Sequence, residues 1–446
     1  MIRIRNARII NPFDGETLED RDILIENGTI HDLVPSGGND VPPPGDGDRI
    51  IDAAGKLVIP GMVCSHHHYY SGLARGIVAD IGPTPDFPSI LAELWWRMDR
   101  ALDEEDIRLS SLICSMDAIR SGTTAVIDHH SSPNCITGSL DAIADGFITT
   151  GLRGASCYEV TDRNGPEGME RGIEENARFA QRTSAFAAAG DAGPALRSHV
   201  GGHAPFTIPD SALRRLGDLC RDSGSGFHCH VAEDRYDASH SHAVHRKDII
   251  ARLNEFGLLG EKSILVHGLY LEDHEIDLIN ESDTFLAHNP RSNMNNGVGY
   301  NGKLPRFRNL GLGTDGIGAD MFEEFKFAAF KHRDAGGKWF PPDMMPMLGG
   351  GNEILRRLFG GSFGRVAPGF AADLAILDYP SPAPLDAGNF AGHLAFGLNS
   401  GSVDTVIING KVVMEGRRFP FDEQAIYAEA ARRAREVWKK IDGLRP

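Results

Sequence analysis

Short apolar runs that read as β-strands end, again and again along this chain, in residues able to bind a metal or move a proton. One run leads into His66, His67 and His68, a second ends at Asp128, His129 and His130, and a fourth is followed by His203. A fifth carries His228 and His230 with Glu233 just after, a sixth ends at His267, a seventh at His288 and an eighth at Asp315. Any one such histidine is most often a hydrogen-bonded core or surface residue, and an aspartate in TDG is most often a turn former. Eighteen histidines will place a few near strand ends by chance. Chance does not readily give five strands one pattern with an acid at the eighth. Three imidazoles and one carboxylate suit zinc, with iron or manganese as alternatives, and a catalytic ion keeps one position open for water.

Spacing sharpens the set. Alternate residues of a strand share a side, so His66 and His68 can face one ion while His67 points away. His228 and His230 also share a side, and alternation does not choose between them. His230 is the closer fit, because HVAE places Glu233 just beyond it. His67 and His228 are expected to pack, or to hold ligating histidines in orientation. The expected centre is one divalent ion, zinc by preference, on His66, His68, His230 and Asp315. No lysine occurs between Lys56 and Lys247, so the first five strands cannot offer a carbamylated lysine to bridge two metals.

Residues so far apart in sequence need a scaffold that brings strand ends together. Eight candidate strands are read at 57–63, 124–128, 152–158, 196–200, 226–230, 263–267, 284–288 and 310–314. Stretches between them, such as EEDIRLSSLICSMDAIRSG and SALRRLGDLCRDSG, have apolar residues at helical spacing and end near glycine. Eight strand–helix units predict an α/β fold with a TIM-type (β/α)8 barrel, whose C-terminal strand ends converge on one mouth. The chain ends read differently. RIRNARII, RDILIENGTI and RIIDAAGKLVI, then ADLAILDY and VDTVIINGKVVMEGRR, alternate as strands, and the NG of the last is a hairpin signal. A small β-sandwich from residues 1–56 and 366–446 is expected around a barrel at 57–365.

Composition narrows function. The 446 residues carry 45 basic and 62 acidic side chains, a formal net charge of −17. A nucleic-acid partner, which needs concentrated basic surface, is not expected. The basic cluster from Arg432 to Lys440 reads as a solvated helix face. No apolar run approaches the ~20 residues that span a bilayer, and no signal peptide is read, so a cytoplasmic location without membrane association is expected. The six cysteines are scattered without a CxxC. A small-molecule substrate is expected, and base rates favour a homo-oligomer.

VIPGMVCSHHHYYSGLARG resembles the first-strand signature of the amidohydrolase superfamily. HVAED, LVHGLYL, AHNPRSNM and GLGTDG resemble its fifth- to eighth-strand signatures, and GRVAPGFAADLAILD with VIINGKVV its returning β domain. Within the superfamily the chain is similar to the cytosine deaminase and atrazine/triazine chlorohydrolase branch. LWWRMDRALDEED, IRSGTTAVIDHH and CYEVTDRNG resemble the SsnA-type aminohydrolases. The resemblance implies His66, His68, His230 and Asp315 as metal ligands, Glu233, His267 and Asp315 as catalytic groups, and His203 of GGHAPFT against substrate. His288 and Trp95, or its neighbour Trp96, are further candidate substrate contacts, with aromatic packing the competing role for the tryptophans. The implied reaction is hydrolytic deamination of an amino-substituted nitrogen heterocycle. The ion activates water, Asp315 takes its proton, His267 orients the attacking oxygen and Glu233 protonates the ring.

Three rival readings remain in view. The same site could remove chloride or hydrolyse an amide or alkylamine, and a non-catalytic metal-binding barrel would keep the shape without the chemistry. GxSxG at Gly360, Ser362 and Gly364 lacks the strand before it and helix after it that a serine hydrolase requires. The absence of PCxxC excludes a cysteine-ligated nucleobase deaminase.

Overall fold

The computed structural model describes residues 1–37, 47–189 and 195–445. Residues 38–46 and 446 of the expected end unit, and 190–194 of the expected barrel, lie outside the described residues.

The chain ends build one sheet. Its first strands are β1 (Ile2–Asn11), β2 (Glu16–Glu26), β3 (Thr29–Pro35), β4 (Arg49–Asp52) and β5 (Leu57–Pro60). A parallel series follows: β6 (Met62–His67), β7 (Thr123–Asp128), β8 (Arg153–Ser156), β9 (Leu196–Ser198), β10 (Val200–Gly202), β11 (Phe227–Val231), β12 (Ile264–His267), β13 (Phe285–His288) and β14 (Leu310–Leu312). β15 (Leu374–Leu377), β16 (Val403–Ile408) and β17 (Lys411–Met414) return to the first sheet, whose order is β17-β16-β15-β5-β1-β2-β3 with β4 beside β1. The two ends meet where β15 runs antiparallel to β5. The expected NG hairpin joins β16 to β17, with Asn409 and Gly410 both at positive φ, as a tight hairpin turn requires. Ile4, Ile9, Ile23, Val58, Leu374, Ile376 and Ile407 fill this sheet's core.

The strand expected at 57–63 is two strands. Leu57–Pro60 belongs to the end sheet and Met62–His67 to the parallel series. Gly61 is the switch: its N–H donates to the Asp373 carbonyl at 2.8 Å, and a Cβ there would lie 2.1 Å from Thr124 Oγ1. Only glycine lets the backbone pass so close. A buried Arg153–Asp373 ion pair (2.6 Å) ties β8 to the same corner.

The parallel strands pair in chain order, β6 to β9 and β10 to β14. β9 and β10 are consecutive and separated only by His199, so residues 196–202 feed both sheets. Single parallel bridges, Val160–Gly202 and His67–Asp315, join residues of the two groups. Helices fill the connections. In Asp210–Ser223, the buried Ala212, Leu213, Leu216, Gly217 and Cys220 form one helical face, and Gly224 at φ +68° ends it. Ile127, Ala155, Ile264, Val266, Phe285 and Ala287 of the strands cluster with Ile354, so the strand bodies are apolar and the chemistry is left to their ends. The basic cluster lies on the helix Glu423–Gly443, but not all of it faces water. Arg433 reaches Asp106 at 2.7 Å and Lys440 reaches Asp103 at 3.0 Å, while Trp438 donates to the Leu73 carbonyl at 2.9 Å. Among the described residues no helix is long and apolar enough to cross a membrane.

Candidate metal centre and active site

The ends of β6, β11 and β12 and the turn after β14 bring His66, His68, His230, His267 and Asp315 together. His68 Nε2 lies 3.0 Å from Asp315 Oδ1 and 3.2 Å from His230 Nε2. His66 Nε2 is 4.0 Å from Asp315 Oδ1, and His267 Nε2 is 3.7 Å from Asp315 Oδ2. Glu233 joins from the other side, its Oε2 3.3 Å from His267 Nε2.

Local backbone geometry aims these side chains. β6 loses register against β7 between Cys64 and His67, a bulge that re-aims the histidine end of the strand. His267 and Asp315 adopt φ of +71° and +55°, and Ala232, before Glu233, adopts +46°. Non-glycine residues rarely take such angles, which store strain of order 1–3 kcal/mol and gather at functional sites.

Hydrogen bonds on the outer nitrogens then set the tautomers. His68 Nδ1 donates to the His129 carbonyl (2.6 Å), His230 Nδ1 to the His203 carbonyl (2.8 Å) and His267 Nδ1 to Asn293 Oδ1 (2.8 Å). Carbonyls only accept, so each Nδ1 carries a proton, which leaves each Nε2 as the nitrogen able to meet an ion. His66 Nδ1 pairs with His228 Nε2 at 3.0 Å. His66 Nε2 and His267 Nε2 are buried with no hydrogen-bond partner among the described residues. Two such orphans beside a carboxylate would be costly, and a divalent cation accepting the lone pairs removes the cost. This donor set of imidazoles and one carboxylate fits zinc. His67 turns away, as alternation predicts, onto Thr314 Oγ1 at 3.0 Å.

Charge follows the same geometry. Burial disfavours an ionised Asp315, but its contact with His68 outweighs this and holds the carboxyl well below its ordinary range. Glu233 goes the other way: burial, then the negative charge of Asp315, push its pKa well above its ordinary range. Asn296 Nδ2 approaches Glu233 Oε1 at 3.5 Å, and Ser292 donates to Asp315 Oδ2 at 2.6 Å.

His68, His230, Glu233 and Asp315 line a cavity that Trp95, Trp96 and His203 wall. His288 is fully buried beside Tyr300, at 5.9 Å between rings. β13 stays regular to its end: Phe285 and Ala287 join the interior cluster, so alternation turns His288 to the other side. Residues not expected from the sequence also line the cavity, among them Asp99 and Arg163, an ion pair at 2.5 Å, Glu159 and Asp237. Glu159 stands three residues beyond the end of β8, in the run CYEV. Ser362 follows the helix Pro341–Phe359 and precedes no helix, so the GxSxG match lacks its required setting.

The amidohydrolase family profile matches residues 57–413, and the chain belongs to that family. It is 30% identical over 437 residues to a 5-methylthioadenosine/S-adenosylhomocysteine deaminase of Thermococcus onnurineus, covering 93% of this chain and 94% of that one. Among solved structures it is similar to an adenosine deaminase from Xanthomonas campestris with bound zinc, at TM-score 0.84 and 22% identity over 98% of each chain. It is also similar to a zinc-complexed atrazine chlorohydrolase from Arthrobacter aurescens, at TM-score 0.79 and 21% identity over 97% of this chain and 100% of that one.

Proposed function

We propose that this protein is a metal-dependent amidohydrolase that deaminates an amino-substituted nitrogen heterocycle, with release of ammonia. The observation that carries the reading is a set of overlapping clusters at one cavity, His66 with His230 and His267, His66 with His68 and Asp315, and Glu233 with His267 and Asp315, the ligand atoms of each lying within 4.8 Å of one another. The relative named as a deaminase of adenosine derivatives supports it. In this reading His66, His68, His230 and Asp315 hold one divalent ion, zinc by its donor set, on a closed (β/α)8 barrel spanning 57–365. The bridges Val160–Gly202 and His67–Asp315 support closure. Residues 1–56 and 366–446, with Leu57–Pro60, form the small β unit beside it, whose described strands belong to one sheet.

When bound, the ion lowers the pKa of water to about 7 and so supplies a nucleophile near neutral pH. Asp315, kept ionised, accepts the water's proton. His267, fixed through Asn293, orients the attacking oxygen. Glu233 gives its proton to a ring nitrogen, which makes the adjacent carbon electrophilic. Attack yields a tetrahedral carbon, and proton transfer to the exocyclic amine releases ammonia. Trp95 and Trp96 supply flat apolar walls that suit a planar ring, and His203 reaches the substrate from the wall between them and His230.

The test is ammonia release by zinc-loaded protein across adenosine-type nucleosides, aminopurines, aminopyrimidines, pterins and aminotriazines. Release from one class, abolished by chelation, is the expected result. Silence across the panel, from protein that carries one metal per chain, would refute deamination and shift the reading to chloride or alkylamine as leaving group.

A further inference from the structure

The cavity wall carries a guanidinium whose hydrogen bonds are only partly used. Arg163 stands in the connection between β8 and the helix Gly165–Ala188, and its side chain is 12% exposed. Its Nη2 donates to Asp99 Oδ2 at 2.5 Å and to Ser131 Oγ at 3.2 Å. Its Cζ lies 5.0 Å from the centre of the Trp96 ring, within cation–π range. Trp96 and Asp99 are three residues apart in the helix Trp96–Ala101, so both reach the guanidinium from one helix face. Ser131 secures the arrangement by donating to Asp99 Oδ2 at 3.0 Å.

The rest of the guanidinium has no such partner. Among the described residues Nη2 alone of its three nitrogens is hydrogen-bonded, and Nε and Asp99 Oδ1 are buried unpaired. Arginine offers donors and no acceptor, so the group that completes it must accept. Five acids line the same cavity, Asp99, Glu159, Glu233, Asp237 and Asp315, and Arg163 is the one lysine or arginine among the described lining residues. A carboxylate or phosphate brought to Arg163 would also lie against Asp99, which already answers the guanidinium's charge, so an anion gains little there. An uncharged oxygen takes the hydrogen bond without that repulsion. A ring lacking such an oxygen would cover these donors and leave them unpaired, which is how a polar site rejects an analogue.

We infer that Arg163 is a specificity-determining residue, which selects amino-substituted rings that carry an uncharged acceptor oxygen, either a ring carbonyl or a sugar hydroxyl. The inference deepens the proposed function and rests on reading this cavity as the substrate site. Asp99 and Ser131 hold the guanidinium in place, and Trp96 supplies the flat surface beneath it.

The experiment measures binding to zinc-loaded protein by titration calorimetry, with rings that lack an exocyclic amine and so cannot be deaminated. Hypoxanthine against purine, and uracil against pyrimidine, probe a ring carbonyl; purine riboside against purine probes sugar hydroxyls; orotate against uracil probes an anion. The proteins are the unaltered chain, Arg163→Gln and the double variant Arg163→Gln/Asp99→Asn. The double variant leaves no unpaired charge, so it guards against loss of fold in the single one, and each protein is judged by the ratio of its own affinities. The expected result is that the unaltered chain binds one oxygen-bearing ring ~10–100-fold more tightly than its parent. In both variants that ratio should collapse toward one while the parent ring binds much as before. A preference for hypoxanthine or uracil identifies a ring carbonyl, and one for the riboside a sugar hydroxyl. A ratio near one in the unaltered chain, a preference that survives in both variants, or no binding of any oxygen-bearing ring overturns the inference. Orotate bound more tightly than uracil through Arg163 overturns it too, since the site would then select an anion. An Arg163-dependent preference in protein that releases no ammonia across the panel above would refute deamination alone.

Discussion

At the scale of single residues, the site separates two carboxyls by environment. Asp315 sits among imidazoles, which draw its pKa well below its ordinary range; Glu233 is buried facing another acid, which pushes its pKa well above it. That split is what a reaction needing one proton acceptor and one donor requires. Glu233→Gln keeps the shape and hydrogen-bonding reach but cannot give up a proton in the same way. It is expected to lower kcat by ~10²–10⁴-fold while metal content, read by atomic absorption, stays at the unaltered level. Near-normal turnover would remove Glu233 from the mechanism. That His66 and His68 share a side while His67 turns away was legible because alternation acts locally, whereas alternation left His228 and His230 open. Glu159 and the Asp99–Arg163 pair were harder to see, since nothing local distinguishes a charge that turns inward from one that meets solvent.

At the scale of elements, two features carry consequences for stability. The first is the passage of the chain through Gly61, where a methyl group would collide with Thr124. Gly61→Ala is expected to destabilise the protein by ~1–3 kcal/mol, as overpacked sites do, measured by urea unfolding; an unchanged midpoint would show that the corner yields. The second is Asp128 at the end of β7, which accepts from the Tyr69 N–H at 2.7 Å and from Ser156 Oγ at 2.6 Å. Burial raises its pKa from 3.8 to about 7. The folded protein therefore keeps a proton that the unfolded chain has already lost, and stability falls as pH rises from about 4 to about 7, then levels. Asp128→Asn mimics the protonated form. In metal-free protein it should gain stability over the unaltered chain progressively across that window. A constant difference at every pH would mean that Asp128 is ionised in the fold. The first expected strand was misjudged for a reason at this same scale: LVIPGMV is one continuous apolar run, and only the two different partners of its halves divide it.

At the scale of the whole molecule, the ion links distant parts of the chain. Its proposed ligands come from β6, β11 and the turn after β14, separated by up to 249 residues between His66 and Asp315. A ligand that binds only the folded state stabilises it by RT ln(1 + [L]/Kd), about 2.7 kcal/mol at a hundredfold excess over Kd. Removing the metal with a chelator is therefore expected to lower Tm by several degrees, and adding zinc back should restore it. A Tm indifferent to both would argue that no ion bridges these elements. The C-terminal helix Glu423–Gly443 makes a second long-range clamp, bound through Arg433 and Trp438 to the segments that carry Asp106 and Leu73.

What the sequence by itself determined was whatever depends on local periodicity and residue chemistry. Strands and helices alternate through the middle, the NG hairpin closes the end sheet, and a histidine–aspartate donor set stands at strand ends. Tertiary structure decided which of those strand-end residues share a point in space. A bulge in β6 and positive φ at His267 and Asp315 re-aim side chains that alternation alone would misplace, and the regularity of β13 turns His288 to the other side. Those choices depend on the packing of one strand against its neighbours, which no window of sequence contains.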